Sequence, residues 1–137
     1  MKKLIIIFSV FVIVATVFLF VGFLPKNNLT YNATLQVIYM NKTCSAKPMI
    51  YLKYRLNLER NGEPIKNAKV TERVYNYENV AEGYSDTEFH FDEKEKIWKN
   101  DVIYCLKQGR YYSKIMINVL EKEAIKKEII REFEVRA

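Results

Sequence analysis

Ile50-Tyr51-Leu52-Lys53-Tyr54-Arg55-Leu56-Asn57-Leu58-Glu59-Arg60-Asn61-Gly62 is the stretch whose reading decides the fold. Ile50, Leu52, Tyr54, Leu56 and Leu58 occupy every second position, and Tyr51, Lys53, Arg55, Asn57 and Glu59 fill the places between. Successive side chains of a strand point to opposite faces, so this alternation makes a half-buried strand with one apolar face. Asn61-Gly62 then ends it, because glycine accepts the positive φ of a chain reversal.

The same period of two extends to both sides. Upstream, Tyr31, Ala33, Leu35, Val37 and Tyr39 alternate with Asn32, Thr34, Gln36 and Ile38, which gives a first strand. Downstream, residues 68–77 are rich in Val, Thr and Tyr and read as a third. Thr87, Phe89 and Phe91 suggest a fourth, closed by the charged turn Asp92-Glu93-Lys94-Glu95-Lys96. Ile97-Trp98 and Val102 to Leu106 give a fifth. Gly109 precedes a sixth, in which Tyr111, Ser113, Ile115, Ile117 and Val119 share a face. Residues 124–136 support two readings. Ile125, Ile129 and Phe133, spaced by four, suit a helix face and equally a strand face. Glu and Lys favour helix, whereas Phe133-Glu134-Val135 alternates and a seventh strand would complete a sandwich.

About seven short strands separated by turn signals predict an all-β, antiparallel β-sandwich. Asn61-Gly62-Glu63-Pro64-Ile65-Lys66-Asn67-Ala68-Lys69-Val70 resembles the G-x-P-[IV]-x-[NG]-A-x-V signature of immunoglobulin-like domains of prokaryotic membrane-anchored surface proteins. The signature also occurs in transthyretin-like and macroglobulin-like sandwiches. Gly109-Arg110-Tyr111 is similar to the G-x-Y that opens the sixth strand of such domains, where the tyrosine makes a tyrosine corner. The resemblance implies an Ig-like sandwich and is nearly silent on function. Such domains serve in adhesins, surface stalks and accessory subunits of the FixH/YtkA-like kind.

The N-terminal fifth reads differently. Leu4 to Leu24 carries no charge and is followed by Pro25-Lys26. As a helix it would span roughly 32 Å, which matches a ~30 Å hydrocarbon core. Lys2 and Lys3 precede it, so the positive-inside rule places that end in the cytoplasm and the rest of the chain outside. A cleaved signal peptide is the alternative; its apolar region is shorter, and cleavage after Ile13-Val14-Ala15 would leave Val17 to Leu24 as an apolar stub. The expected organisation is a cytoplasmic flank and transmembrane signal anchor over 1–25, a short linker over 26–29, and an extracytoplasmic domain over 30–137. The formal net charge is +6, but acidic and basic residues alternate, as in Glu121-Lys122-Glu123, and form no basic stripe of the kind nucleic acid requires. The expected partners are the lipid bilayer through residues 4–24 and an unidentified protein or cell-surface component, with no nucleic acid.

Cys44 and Cys105 are the two cysteines. An oxidising compartment permits a disulfide. In a sandwich of alternating strands the ends of the first and fifth lie together, so the two could meet and close a loop of about 60 residues, a stabilisation of roughly 3–4 kcal/mol. Two independent buried thiols or a metal pair are the alternatives, the latter weakened by the lack of further ligands. If they meet, their end of the domain is the one remote from the start of the first strand. Asn28-Leu29-Thr30, Asn32-Ala33-Thr34 and Asn41-Lys42-Thr43 are glycosylation sequons, at Asn28, Asn32 and Asn41, and can equally be coincidences of a Thr-rich strand.

No catalytic constellation is legible. His90, the one histidine, sits between Phe89 and Phe91 and is expected on the solvent face of a strand. Asp92, Glu93 and Glu95 lack calcium-loop spacing. Tyr75, Tyr77, Tyr84, Tyr111 and Tyr112 could form a glycan platform, or serve packing and the tyrosine corner. The sequence therefore predicts no cofactor, no metal and no enzyme. It points to a non-enzymatic, membrane-anchored interaction or structural module of the cell envelope, or alternatively to an accessory subunit of a membrane protein complex.

Overall fold

The alternation that begins at Ile50 continues through β2, Lys47–Arg60, whose side chains Ile50, Leu52, Tyr54, Leu56 and Leu58 are all buried. The computed structural model describes residues 28–83, 85–121 and 124–136. The expected membrane segment over 4–24, its flank and residues 26–27 lie outside the described residues, as does Tyr84. The other strands are β1 (Leu29–Cys44), β3 (Glu63–Pro64), β4 (Ala68–Asn76), β5 (Thr87–Glu88), β6 (His90–Asp92), β7 (Ile97–Cys105), β8 (Gly109–Val119) and β9 (Ile125–Val135). No helix occurs among the described residues.

The strands form two antiparallel sheets. One has the order β1-β2-β7-β6, with β3 paired to β2; the other has the order β5-β4-β8-β9. Their inner faces share one core, to which β2 contributes Leu52 and Leu56, β4 Val70 and Val74, and β8 Ile115, Ile117 and Val119. Burial of such side chains, at roughly 1.5–3 kcal/mol each, is the main force holding the sheets face to face.

Turn chemistry fixes the register. Arg60 pairs with Glu63, so Asn61-Gly62 is a two-residue loop, with φ of 51° and 82°. Positive φ at both positions twists a hairpin in the sense that its strands require. The β1–β2 hairpin has the same geometry on less suitable residues: Cys44 pairs with Lys47, and Ser45 and Ala46 have φ of 49° and 59°.

Three elements differ from the sequence expectation or resolve it. The first strand does not stop near Tyr39. It passes through an irregularity between Tyr39 and Thr43 and continues to Cys44. The fourth is two pieces in different sheets. Thr87–Glu88 pairs with β4, and His90–Asp92 pairs with β7, the chain crossing between sheets at buried Phe89. The ambiguous last segment is a strand. Ile125, Ile129, Phe133 and Val135 turn toward the core, because β8 offers a full-length edge along Gly109–Val119.

Candidate functional site

Along β4 the buried positions are Val70, Glu72 and Val74, so the pleat that buries two valines also carries a carboxylate into the core. Glu72 is 1% exposed. Its Oε1 accepts from the Tyr54 hydroxyl at 2.8 Å and from Ser113 Oγ at 3.3 Å. Its Oε2 accepts from Thr87 Oγ1 at 2.6 Å and from the Tyr104 hydroxyl at 3.4 Å. Thr87 Oγ1 in turn accepts from Asn100 Nδ2 at 2.8 Å. Four strands of both sheets and the short β5 thus converge on one carboxyl. Every named donor is neutral. Burial raises the Glu72 carboxyl above its ordinary range, and the hydroxyl hydrogen bonds oppose that shift. Burial, with the Glu72 charge beside them, also raises the Tyr54 and Tyr104 phenols. This cluster ties the sheets together. Glu72 itself is sealed from solvent and has no histidine or cationic partner among the described residues, so this geometry serves cohesion of the two sheets.

The cysteines meet. Cys44 and Cys105 form a disulfide with Cα atoms 6.0 Å apart, across a sequence separation of 61. Cys44 ends β1 and Cys105 ends β7, the two strands that flank β2, so the bond staples both to the start of β2. It lies at the end of the sandwich opposite Leu29, where β1 begins.

The tyrosines separate by strand parity. Tyr111 is 5% exposed and turns inward, stacking on Phe133, and its hydroxyl donates to Lys107 O at 2.9 Å. That back-bond at the start of β8 is a tyrosine corner; Tyr111 therefore belongs to the core and is no part of a ligand platform. Tyr75 and Tyr112 face outward as a cross-strand stacked pair, with Tyr77 edge-on to Tyr112. Cations cover two of these rings: Arg110 over Tyr77 at 4.7 Å and Lys114 over Tyr75 at 5.8 Å.

The remaining candidates are surface groups. His90 is exposed on β6, paired with Lys99. Asp92 is drawn down to about 2, first by the Lys99 ammonium and then by the main-chain N–H of Glu95, so it organises its own turn. Asn28, Asn32 and Asn41 are all exposed, on β1 or just before it. Among the described residues no group of three His, Cys, Asp or Glu side chains is arranged to hold a metal.

Glu72 is the residue that sequence reasoning missed. Its signal was present in the alternation Val70-Thr71-Glu72-Arg73-Val74, which puts a carboxylate in phase with the core. No protein-family model, no curated protein and no solved structure matches this chain.

Proposed function

We propose that this chain is a non-enzymatic, membrane-anchored extracytoplasmic module of the cell envelope whose Ig-like sandwich engages another envelope component. The observation that carries the reading is the Cys44–Cys105 disulfide in a chain that opens with the uncharged run Leu4 to Leu24. Disulfides persist in oxidising compartments, the side to which the positive-inside rule assigns the domain. The Ig-like assignment is supported by strand order. Taken as A, B, D and E, the strands β1, β2, β6 and β7 make one sheet, and β4, β8 and β9 supply C, F and G of the other. The tyrosine corner at Tyr111 supports it further. Among the described residues the buried cluster around Glu72 is consumed in joining the sheets, which points to surfaces and edges as the places where such a module acts. Glycans on Asn28, Asn32 and Asn41 would stand along β1, the first two near its membrane-proximal start and the third near the Cys44–Cys105 end.

Crosslinking in intact cells, followed by purification of the full-length protein in mild detergent and mass spectrometry, tests the reading. Stoichiometric crosslinks to an envelope component are expected. A protein that crosslinks to nothing in the envelope, or turns over a small molecule after purification, contradicts it.

A further inference from the structure

We propose that the distal half of β7, Asp101 to Cys105, is a docking edge at which a partner's extended segment adds a strand to the β1-β2-β7-β6 sheet. This rests on the reading of the domain as an interaction module and names the edge it uses and the chemistry of its partner.

The edge is open because of the crossover at Phe89. β6 pairs with β7 only at Ile97, Trp98 and Lys99. The residues that would continue β6 alongside Asp101 and Ile103 have already joined the other sheet, where Thr87–Glu88 pairs with β4 and Phe89 N donates to Val70 O at 2.9 Å. Leu106 N donates to Pro48 O at 3.2 Å, continuing the unbroken β2–β7 register. In an antiparallel ladder that parity directs the N–H and C=O of Tyr104 and Val102 to β2, and those of Asp101, Ile103 and Cys105 away from it. Among the described residues these three take no main-chain partner beyond β7.

The opposite side of the sandwich is treated otherwise. There the outer strands β1 and β9 cap each other's carbonyls. Arg131 Nε donates to Ala33 O at 2.9 Å, and the Tyr39 hydroxyl donates to Glu134 O at 2.7 Å. Unpaired strand edges are templates for another chain, and proteins normally blunt them. Here two carbonyls on one side are capped by side chains, whereas the other side presents the alternate edge-facing residues Asp101, Ile103 and Cys105.

The surroundings specify the incoming side chains. Beside the open edge lies a groove of about 520 Å³ lined by Lys47, Glu82, Gly83, Ser85, Thr87 and Tyr104. The Thr87 and Tyr104 hydroxyls spend their protons on Glu72 and offer the groove no donor, and the Glu82 side chain that lines it carries a carboxylate. An inward-pointing side chain of the added strand is therefore a hydrogen-bond donor or a cation. On the other face Ile103 is 54% exposed, in register with Tyr51 and Ile38. An outward side chain there is apolar. The partner is an extended peptide in which apolar residues alternate with cationic or donor residues.

The test uses the full-length protein in mild detergent and a synthetic peptide alternating valine and lysine over about eight residues, a typical strand length. Amide hydrogen exchange is read with and without it. In the free protein the amides of Asp101, Ile103 and Cys105 are expected to exchange far faster than those of Val102 and Tyr104. Saturating peptide is expected to slow the three by about tenfold or more. A peptide N-methylated on its edge-facing amides is expected to bind at least tenfold more weakly. Ile103→Pro, which removes an N–H that takes no part in the β2–β7 ladder, is expected to abolish protection, while Ile103→Val retains it. The proposal is overturned if the three amides are already as protected as Val102 in the free protein. It is equally overturned if the peptide does not bind, or if N-methylation leaves binding unchanged. None of these outcomes depends on the variant folding. A protein that crosslinks to an envelope partner in cells yet fails here loses this edge and keeps the broader reading.

Discussion

The Tyr54 hydroxyl on β2 donates a 2.8 Å hydrogen bond to the Glu72 carboxylate on β4, across the interior that separates the two sheets. Tyr54 belongs to the alternation that defines β2, and Glu72 to that of β4. Glu72 thus sits within the apolar core beside the buried Ser113 and Asn100, held by hydroxyls that carry no charge. Burying a carboxylate without a cation is costly, and hydroxyl donors offset the cost only in part.

That arrangement gives stability a particular pH dependence. A raised pKa means that the folded protein binds the Glu72 proton more tightly than the unfolded chain does. Its contribution is full below the ordinary carboxylate pKa and is lost as pH rises through the folded value. Glu72→Gln, which cannot ionise, should remove this slope. The melting temperature of the variant relative to the wild type should therefore rise between acidic and neutral pH. Glu72→Ala orphans the hydroxyls of Tyr54 and Thr87 and should cost about 3 kcal/mol or more at every pH, at ~1–3 kcal/mol per unsatisfied group. Thermal unfolding over that pH range, on all three proteins, checks both.

The disulfide closes a long loop, so its removal acts mainly on the unfolded chain. Replacing Cys44 and Cys105 together with serine should lower stability by about 4 kcal/mol. Wild-type protein under reducing conditions should fall by a similar amount. Urea unfolding with and without reductant measures it.

Ala46 has a φ of 59° in the turn that joins β1 to β2, next to the disulfide. A side chain in this left-handed region costs roughly 1–2 kcal/mol. Ala46→Gly should therefore stabilise the domain by about 1 kcal/mol, seen as a rise of several degrees in melting temperature.

Tyr111→Phe keeps the stacking on Phe133 and loses the hydrogen bond to Lys107 O. A loss of about 1 kcal/mol is expected. Hydrogen exchange in the β7–β8 connection should accelerate while that of β2 stays unchanged.

Strand existence was readable wherever one face is buried, because period two then leaves a trace in the residues themselves. Ile50 to Leu58 and Tyr111 to Val119 are the clearest cases. Boundaries were less readable. Ser45-Ala46 carries no glycine or asparagine to announce a turn, since the adjacent disulfide holds that hairpin closed. The crossover at Phe89 was hidden because Thr87, Phe89 and Phe91 keep one alternation while the chain changes sheets. Strand direction allowed Cys44 and Cys105 to meet, with free thiols and a metal pair as the alternatives, and the disulfide decides between them. Glu72 was overlooked because charged residues are by default placed outside, although its phase with Val70 and Val74 placed it inside. The free edge of β7 depends on which strand fails to cover it, a tertiary fact with no local signature.

Everything proposed for function depends on where the sandwich sits relative to the membrane. Labelling of intact cells with a membrane-impermeant amine reagent, followed by membrane fractionation and mass spectrometry, addresses this directly. The account expects the chain in the membrane fraction with the exposed lysines Lys126 and Lys127 labelled and Lys2 and Lys3 labelled only after permeabilisation. Sandwich lysines that react only once the cells are opened would place the domain in the cytoplasm and contradict the account.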